Sequence, residues 1–207
     1  MPYSASNRAI FIWIPKTAGT SLSSALNSLG VFRRGTPEDL LGRIPQEERK
    51  QWRAANWQHL SVEGVKQKIT EPSWDDCYSF TFVRNPWDRL VSFYEYSRGA
   101  RSDPNSVQYG RPPLPSFEQW VDEAPPLSQM WYLKDADGQI PLDFVGRFET
   151  LEADFAQVCA ALGRPKVGLY KMRASSRGDY RDYYDPALRK KVAEKYAEEI
   201  EVFQYVF

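Results

Sequence analysis

Hydrophobic and polar positions fall into blocks that switch between two periods along the chain. Residues 9–14 (AIFIWI) form an unbroken apolar run closed by Pro15, and residues 78–83 (YSFTFV) form a second β-rich run, with Ser79 and Thr81 as its polar positions. Short β-rich runs such as these predict buried strands. Residues 143–148 (DFVGRF) are a third strand candidate. Between these runs the spacing turns helical. Leu22, Ala25, Leu26 and Leu29 share a face over residues 20–29, with Gly30 as a stop. Residues 87–98 place Leu90, Val91 and Tyr94 inward. Residues 150–162 carry Leu151, Phe155, Val158 and Leu162, with Cys159 inside the helix as a small core residue and Gly163 and Pro165 at its end. Residues 186–203 carry one stripe, Leu188, Val192, Tyr196, Ile200 and Phe203. Strands alternating with helices predict an α/β fold with a central, mostly parallel sheet flanked by helices. Residues 97–115 are polar and rich in Pro and Gly, the longest loop candidate.

Composition narrows the class. A chain of 207 residues suits one domain, 1–207, with no internal repeat and no low-complexity tract. The aromatic share of 14% is far from that of a disordered chain. Two cysteines, Cys77 and Cys159, support neither a disulfide framework nor a four-ligand zinc site, and the single histidine, His59, excludes a site of several histidines. No tight carboxylate cluster announces a metal, so none is expected. No apolar run reaches membrane-spanning length. The expectation is a cytoplasmic chain, or a soluble catalytic domain cut from a membrane-anchored parent.

Net charge is zero, with 27 basic and 27 acidic residues, so bulk attraction to nucleic acid is not expected. The charge is nonetheless uneven. Residues 1–60 sum to +4, residues 117–155 to −7 and residues 161–191 to +6. Any anion site must therefore come from local placement.

Two segments place positive charge and hydrogen-bond donors between a strand and a helix. In the first, Pro15-Lys16-Thr17-Ala18-Gly19-Thr20-Ser21 joins the strand at 9–14 to the helix at 20–29. Small residues let the backbone approach a ligand, the open N–H groups of a helix start favour an anion, and Lys16 adds a full charge. A Walker A loop would place its lysine directly before the helix, whereas Lys16 comes early. In the second, FTFVRNPWDRLVSFYEY (80–96), Arg84 stands at the carboxyl end of its strand, where open α/β sheets bind ligands. Ser92 follows two helical turns on, and Arg84 with Ser92 suits a second phosphate. Asp88 and Arg89 suit capping and salt-bridging.

Together these segments resemble the sulfotransferase family. IPKTAGTSL is similar to its 5′-phosphosulfate loop and FTFVRNPWDRLVSFYEY to its 3′-phosphate segment, with the wording closest to the carbohydrate-type branch of Golgi glycan enzymes and bacterial relatives. DFVGRFE with Leu151, Asp154 and Phe155, then Tyr180, Arg181, Tyr183, Tyr184 and the ending FQYVF, carry the likeness over roughly residues 9–207. The resemblance implies a P-loop-like α/β fold and a donor, 3′-phosphoadenosine 5′-phosphosulfate (PAPS), released as adenosine 3′,5′-bisphosphate (PAP). It implies that Lys16, Thr17, Ala18, Gly19, Thr20 and Ser21 surround the phosphosulfate and that Arg84 and Ser92 hold the 3′-phosphate. Ser176 and Arg177, in the basic loop Arg173-Ala174-Ser175-Ser176-Arg177, are further nucleotide candidates, although the Arg-Lys-Gly signature of the small-molecule branch is missing.

The chemistry implied is in-line sulfuryl transfer, with Lys16 neutralising charge on the departing phosphate. An alcohol acceptor must also lose a proton. His59, in Trp57-Gln58-His59-Leu60-Ser61, lies between the two phosphate segments, where relatives place a base; Glu63, Glu38 and Asp88 are fallback bases. Arg98, Arg101, Tyr109 and Arg111 of the 97–115 loop suit an acceptor entrance for an anionic sugar, a phenol or a lipid headgroup. The competing readings are a P-loop phosphotransferase, which needs a Walker loop and a magnesium carboxylate, and a non-catalytic nucleotide-binding module.

Overall fold

The computed structural model describes residues 3–32, 59–69, 71–106, 108–123, 125–170 and 177–207. The chain divides into two compact units, one of Met1–Val83 with Gln129–Met172, the other of Arg84–Ser128 with Arg173–Phe207.

The first unit holds the sheet. Its strands are β1 (Tyr3–Ser4), β2 (Ala9–Ile12), β3 (Tyr78–Val83) and β4 (Phe144–Arg147), in the order β1-β2-β3-β4. The β2–β3 and β3–β4 pairs are parallel, and β1 is an antiparallel edge. The central strand β2 is apolar throughout because both faces are buried: Ala9 and Phe11 on one side, Ile10 and Ile12 on the other, are all inaccessible to solvent. The polar side chains of β3 each meet an acceptor, and Ser79 Oγ donates to the Asp143 carboxylate at 2.8 Å. Thr81 Oγ1 donates to the Ile12 carbonyl at 2.7 Å.

One face of the sheet is covered by α1 (Gly19–Ser28) and, further along the chain, by the helix Leu151–Ala161. Leu22 and Leu26 from α1 and Phe155, Val158 and Cys159 from the second helix join Phe11, Phe80 and Phe82 in one core. Phe11 and Phe80 stack at 5.2 Å across the β2–β3 register. Gly146 in β4 leaves room for the Phe82 ring, since a Cβ there would stand 2.6 Å from it. Cys77 and Cys159 are free thiols, and burial raises the pKa of both.

In the same unit, α2 (Val62–Lys66) is capped by Ser61 and tied to the turn after a later helix, Gln129–Leu133. Lys66 pairs with Asp135 at 3.0 Å, and Glu63 accepts from the Ala136 N–H at 3.2 Å.

The second unit is helical: α3 (Pro86–Ser102), α4 (Phe117–Glu123), and, in order after Gln129–Leu133 (α5) and Leu151–Ala161 (α6), the helices α7 (Pro186–Lys195) and α8 (Ala197–Phe203). A short 3₁₀ helix, Tyr180–Tyr183, precedes α7. No helix among the described residues is long and apolar enough to cross a membrane.

Three expectations need correction. The first strand ends at Ile12, not residue 14, because Trp13 turns out of the ladder before Pro15. The helix read as 87–98 runs on to Ser102, so Arg98 and Arg101 sit on helix and the loop begins at residue 103. The helix read as 186–203 breaks at Tyr196, and behind the break Glu199 is buried rather than Ile200. Tyr196 donates its hydroxyl to the Pro126 carbonyl at 2.8 Å, and Ser128 donates to the buried Glu199 carboxylate at 3.2 Å.

Candidate active site

The first basic segment forms a cradle at the end of β2. Lys16 and Ala18 both take left-handed backbone conformations, with φ of 72° and 65°. Outside glycine such angles cost energy and persist where the surroundings enforce them. Successive turns of this kind aim backbone N–H groups into a concavity that suits an anion. Ala18 is the N-cap of α1, and no side chain caps the helix. A ten-residue helix thus opens three residues after Lys16 with its N-terminal partial charge facing the loop. Capping by Thr or Ser, the structural alternative for this segment, is not what the hydroxyls do. Thr17 is fully buried and donates to the Ile14 carbonyl at 2.9 Å, so its hydroxyl shapes the loop. Ser21 is buried in the first turn, and Lys16 and Thr20 are half-buried.

His59 lies against this cradle. Its Nδ1 is 2.8 Å from the Trp13 carbonyl oxygen, and its ring meets the edge of the Trp13 indole at 5.4 Å and 78°. The Trp13 indole in turn covers Gly19, the first residue of α1, so closely that a Cβ there would fall 1.7 Å from the indole nitrogen. A glycine expected to admit a ligand therefore also admits a tryptophan. Nothing in the sequence linked Trp13 to His59, since they are 46 residues apart.

From Arg84 onward the second basic segment belongs to the helical unit. Asn85 caps α3 by accepting from the Trp87 N–H at 3.1 Å, and its amide donates to the Val206 carbonyl. Pro86 at the first helical position completes a sharp start. Arg84, just before the cap, is buried and turns back onto Asp88. Its Nε and Nη2 lie 2.8 and 2.7 Å from one oxygen, Oδ2. The other oxygen, Oδ1, accepts from Arg177. One carboxylate thus holds two guanidiniums 93 residues apart in sequence, and Arg177 keeps a buried Nη1 with no hydrogen-bond partner among the described residues. Ser92 is buried on the same face as Asp88, one turn on.

Aromatic residues hold this arrangement. The Tyr184 hydroxyl donates to the Trp87 carbonyl at 2.9 Å, and Tyr183 donates to Glu95 at 3.0 Å. The Phe207 ring meets Trp87, Tyr180 and Tyr184 edge-on at 5.4–5.6 Å. Burial raises the pKa of Tyr183 and Tyr184, and Glu95 adds to the rise at Tyr183. These contacts place the segment that carries Arg177 along α3.

Several candidates change standing. Asp88, a fallback base, is instead the shared counter-ion of two arginines. Glu63 accepts from Gln67 and from the Ala136 N–H. Glu38 and Ser176 lie outside the described residues. Of the acceptor-loop candidates, Arg98 pairs with Glu95 and Arg101 donates to the Ser97 carbonyl, both on α3, while Tyr109 and Arg111 are exposed beyond it.

Comparison with known proteins agrees with this fold. The family model described as "Sulfotransferase family" matches residues 3–206. An uncharacterized protein of Archaeoglobus fulgidus is 28% identical over 118 residues, covering 56% of this chain and 93% of its own length. Among solved structures, that of mouse sulfotransferase SULT7A1 complexed with PAP superposes with a TM-score of 0.56 at 16% identity, covering 96% of this chain and 86% of the mouse chain. That identity speaks to the fold alone.

Proposed function

We propose, since this chain belongs to the sulfotransferase family, that it moves a sulfuryl group from PAPS to the hydroxyl of an acceptor, a glycan or another hydroxyl compound, and releases PAP. The reading takes residues 1–207 as one catalytic domain. The observation that carries it is the cradle: two left-handed residues, one of them Lys16, opening an uncapped helix behind a buried parallel strand. Anion binding by backbone N–H groups needs that shape.

In this reading Lys16, Thr17, Ala18, Gly19, Thr20 and Ser21 surround the 5′-phosphosulfate. Thr17 contributes through the loop geometry it enforces. Arg84, Ser92 and Arg177, with Ser176 next to Arg177 in sequence, bind the 3′-phosphate. The Arg84–Asp88–Arg177 cluster supports that assignment: a phosphomonoester matches paired guanidinium donors, and Arg177 holds a buried donor in reserve.

The reaction balances without a redox partner. The acceptor oxygen forms a bond to sulfur as the bond from sulfur to the bridging phosphate oxygen breaks. The acceptor proton passes to His59. The electron pair of the broken bond stays on the phosphate of PAP, where Lys16 offsets the growing charge. Positioning supplies much of the rate, because both partners must lie in line with sulfur.

The test is transfer of radiolabelled sulfate from PAPS to a panel of glycans, phenols and lipids. Label on one of these acceptors, with PAP as co-product, is the expected result. No transfer, together with a larger thermal shift from ATP–Mg than from PAP, would turn the assignment to a phosphotransferase.

A further inference from the structure

We infer that Trp13 is a positioning residue for His59, fixing the tautomer of its ring and bracing its tilt, so that the nitrogen presented as base is Nε2. The inference rests on the reading of His59 as the base of the reaction.

Two independent contacts carry it. The first is polar. The Trp13 carbonyl oxygen lies 2.8 Å from His59 Nδ1, and a carbonyl oxygen only accepts. Nδ1 must therefore carry the hydrogen, and in the neutral imidazole the lone pair is left on Nε2. Free imidazole side chains do not hold this tautomer as their main form, so the contact selects it.

The second is steric. The indole edge meets the His59 ring at 5.4 Å and 78°. The indole is itself fixed: it stacks near-parallel to Phe11 at 6.1 Å, and Phe11 stacks on Phe80 at 5.2 Å. A row of rings thus runs from the sheet core to the histidine. Its far side rests on Gly19, where a Cβ would fall 1.7 Å from the indole nitrogen. The end of β2, the start of α1 and His59 are therefore one mechanical unit, and a side chain at position 19 would disturb the base through the tryptophan.

The chain holds a single histidine, so two-bond ¹H–¹⁵N NMR on histidine-labelled protein reads its tautomer with no assignment problem. Wild type should show the Nδ1–H form when neutral. Trp13→Leu removes the brace. It should shift the signal toward the Nε2–H form and lower kcat on the order of tenfold, a part of the roughly 10²–10⁴-fold a general base contributes. The donor KM should stay within about twofold. Trp13→Phe, which keeps a ring edge, should recover most of both losses. In a His59→Ala background Trp13→Leu should cost nothing further, because its effect passes through the histidine. An Nε2–H tautomer in wild type overturns the inference even if no Trp13 variant folds. So does an equal cost of Trp13→Leu with and without His59. If His59→Ala leaves turnover intact, the base assignment fails while the tautomer measurement still judges the contact itself.

Discussion

Arg84 grips Asp88 through two of its nitrogens, Nε at 2.8 Å and Nη2 at 2.7 Å from a single carboxylate oxygen. The other oxygen serves Arg177, so Asp88 is the hub that spaces two guanidiniums. The hub carries one negative charge against two positive, which leaves the cluster suited to a further anion.

Asp88→Asn keeps the shape and removes the charge. Breaking a buried ion pair costs about 3–5 kcal/mol. Asp88 retains 15% exposure, so about 2 kcal/mol is the fitting scale, or a Tm lower by roughly 4–8 °C for a chain of this size. A bound 3′-phosphate would supply the missing anion. The Tm gap between Asp88→Asn and wild type should therefore narrow when PAP is saturating. A gap that stays constant or widens would separate Asp88 from the nucleotide site.

His59→Ala should lower turnover by roughly 10²-fold or more, the scale of a general base, and leave the Kd for PAP within about threefold. Turnover numbers and calorimetric titration with PAP check the two halves. An unchanged turnover number would remove His59 from the chemistry.

Ala18 sits at φ 65° and ψ 14°, where a Cβ is strained. Ala18→Gly should relieve about 1 kcal/mol, raising Tm by roughly 2–4 °C. A lowered Tm would mean that the Ala18 methyl group packs usefully enough to outweigh the strain.

Tyr184 and Tyr196 have their phenol pKa values raised above the ordinary 10, chiefly by burial. Asp88 adds to the rise at Tyr184, and at Tyr196 the Arg89 guanidinium opposes it. A raised folded pKa gives stability that is whole below about pH 10 and is lost as pH climbs toward the folded value. In an alkaline titration followed by phenolate absorbance, these two should ionise only as the fold is lost, in step with the circular dichroism. Complete tyrosine ionisation with the fold intact would contradict the packing around α3 and α7.

Much of this was legible in the sequence because the physics was local. A buried strand is a short apolar run, and β3 falls on the predicted residues 78–83. The cradle was legible because strand, small residues, lysine and helix lie within a dozen positions. What could not be read depends on distant partners. The break at Tyr196 has no Gly or Pro to announce it; Tyr196 instead reaches the Pro126 carbonyl 70 residues back. Glu199 falls outside the apolar stripe of residues 186–203, and the fold buries it with Ser128 as a donor. Gly19 was read for a ligand's approach, and the tryptophan it also admits left no mark in the spacing. Asp88 was rightly read as a salt-bridging residue, yet its second partner, Arg177, could be found only in three dimensions.

The most direct measurement is a binding cycle that pairs one residue with one ligand group. PAP and adenosine 5′-phosphate, which lacks the 3′-phosphate, are titrated calorimetrically into wild type and Arg84→Ala. Charged hydrogen bonds contribute about 1.5–3 kcal/mol each, so wild type should prefer PAP by at least roughly tenfold. In Arg84→Ala that preference should collapse to within about threefold, with adenosine 5′-phosphate affinity nearly unchanged. Equal weakening of both ligands, with the preference for PAP intact, would contradict the assignment of Arg84 to the 3′-phosphate and with it the account of how this chain holds its donor.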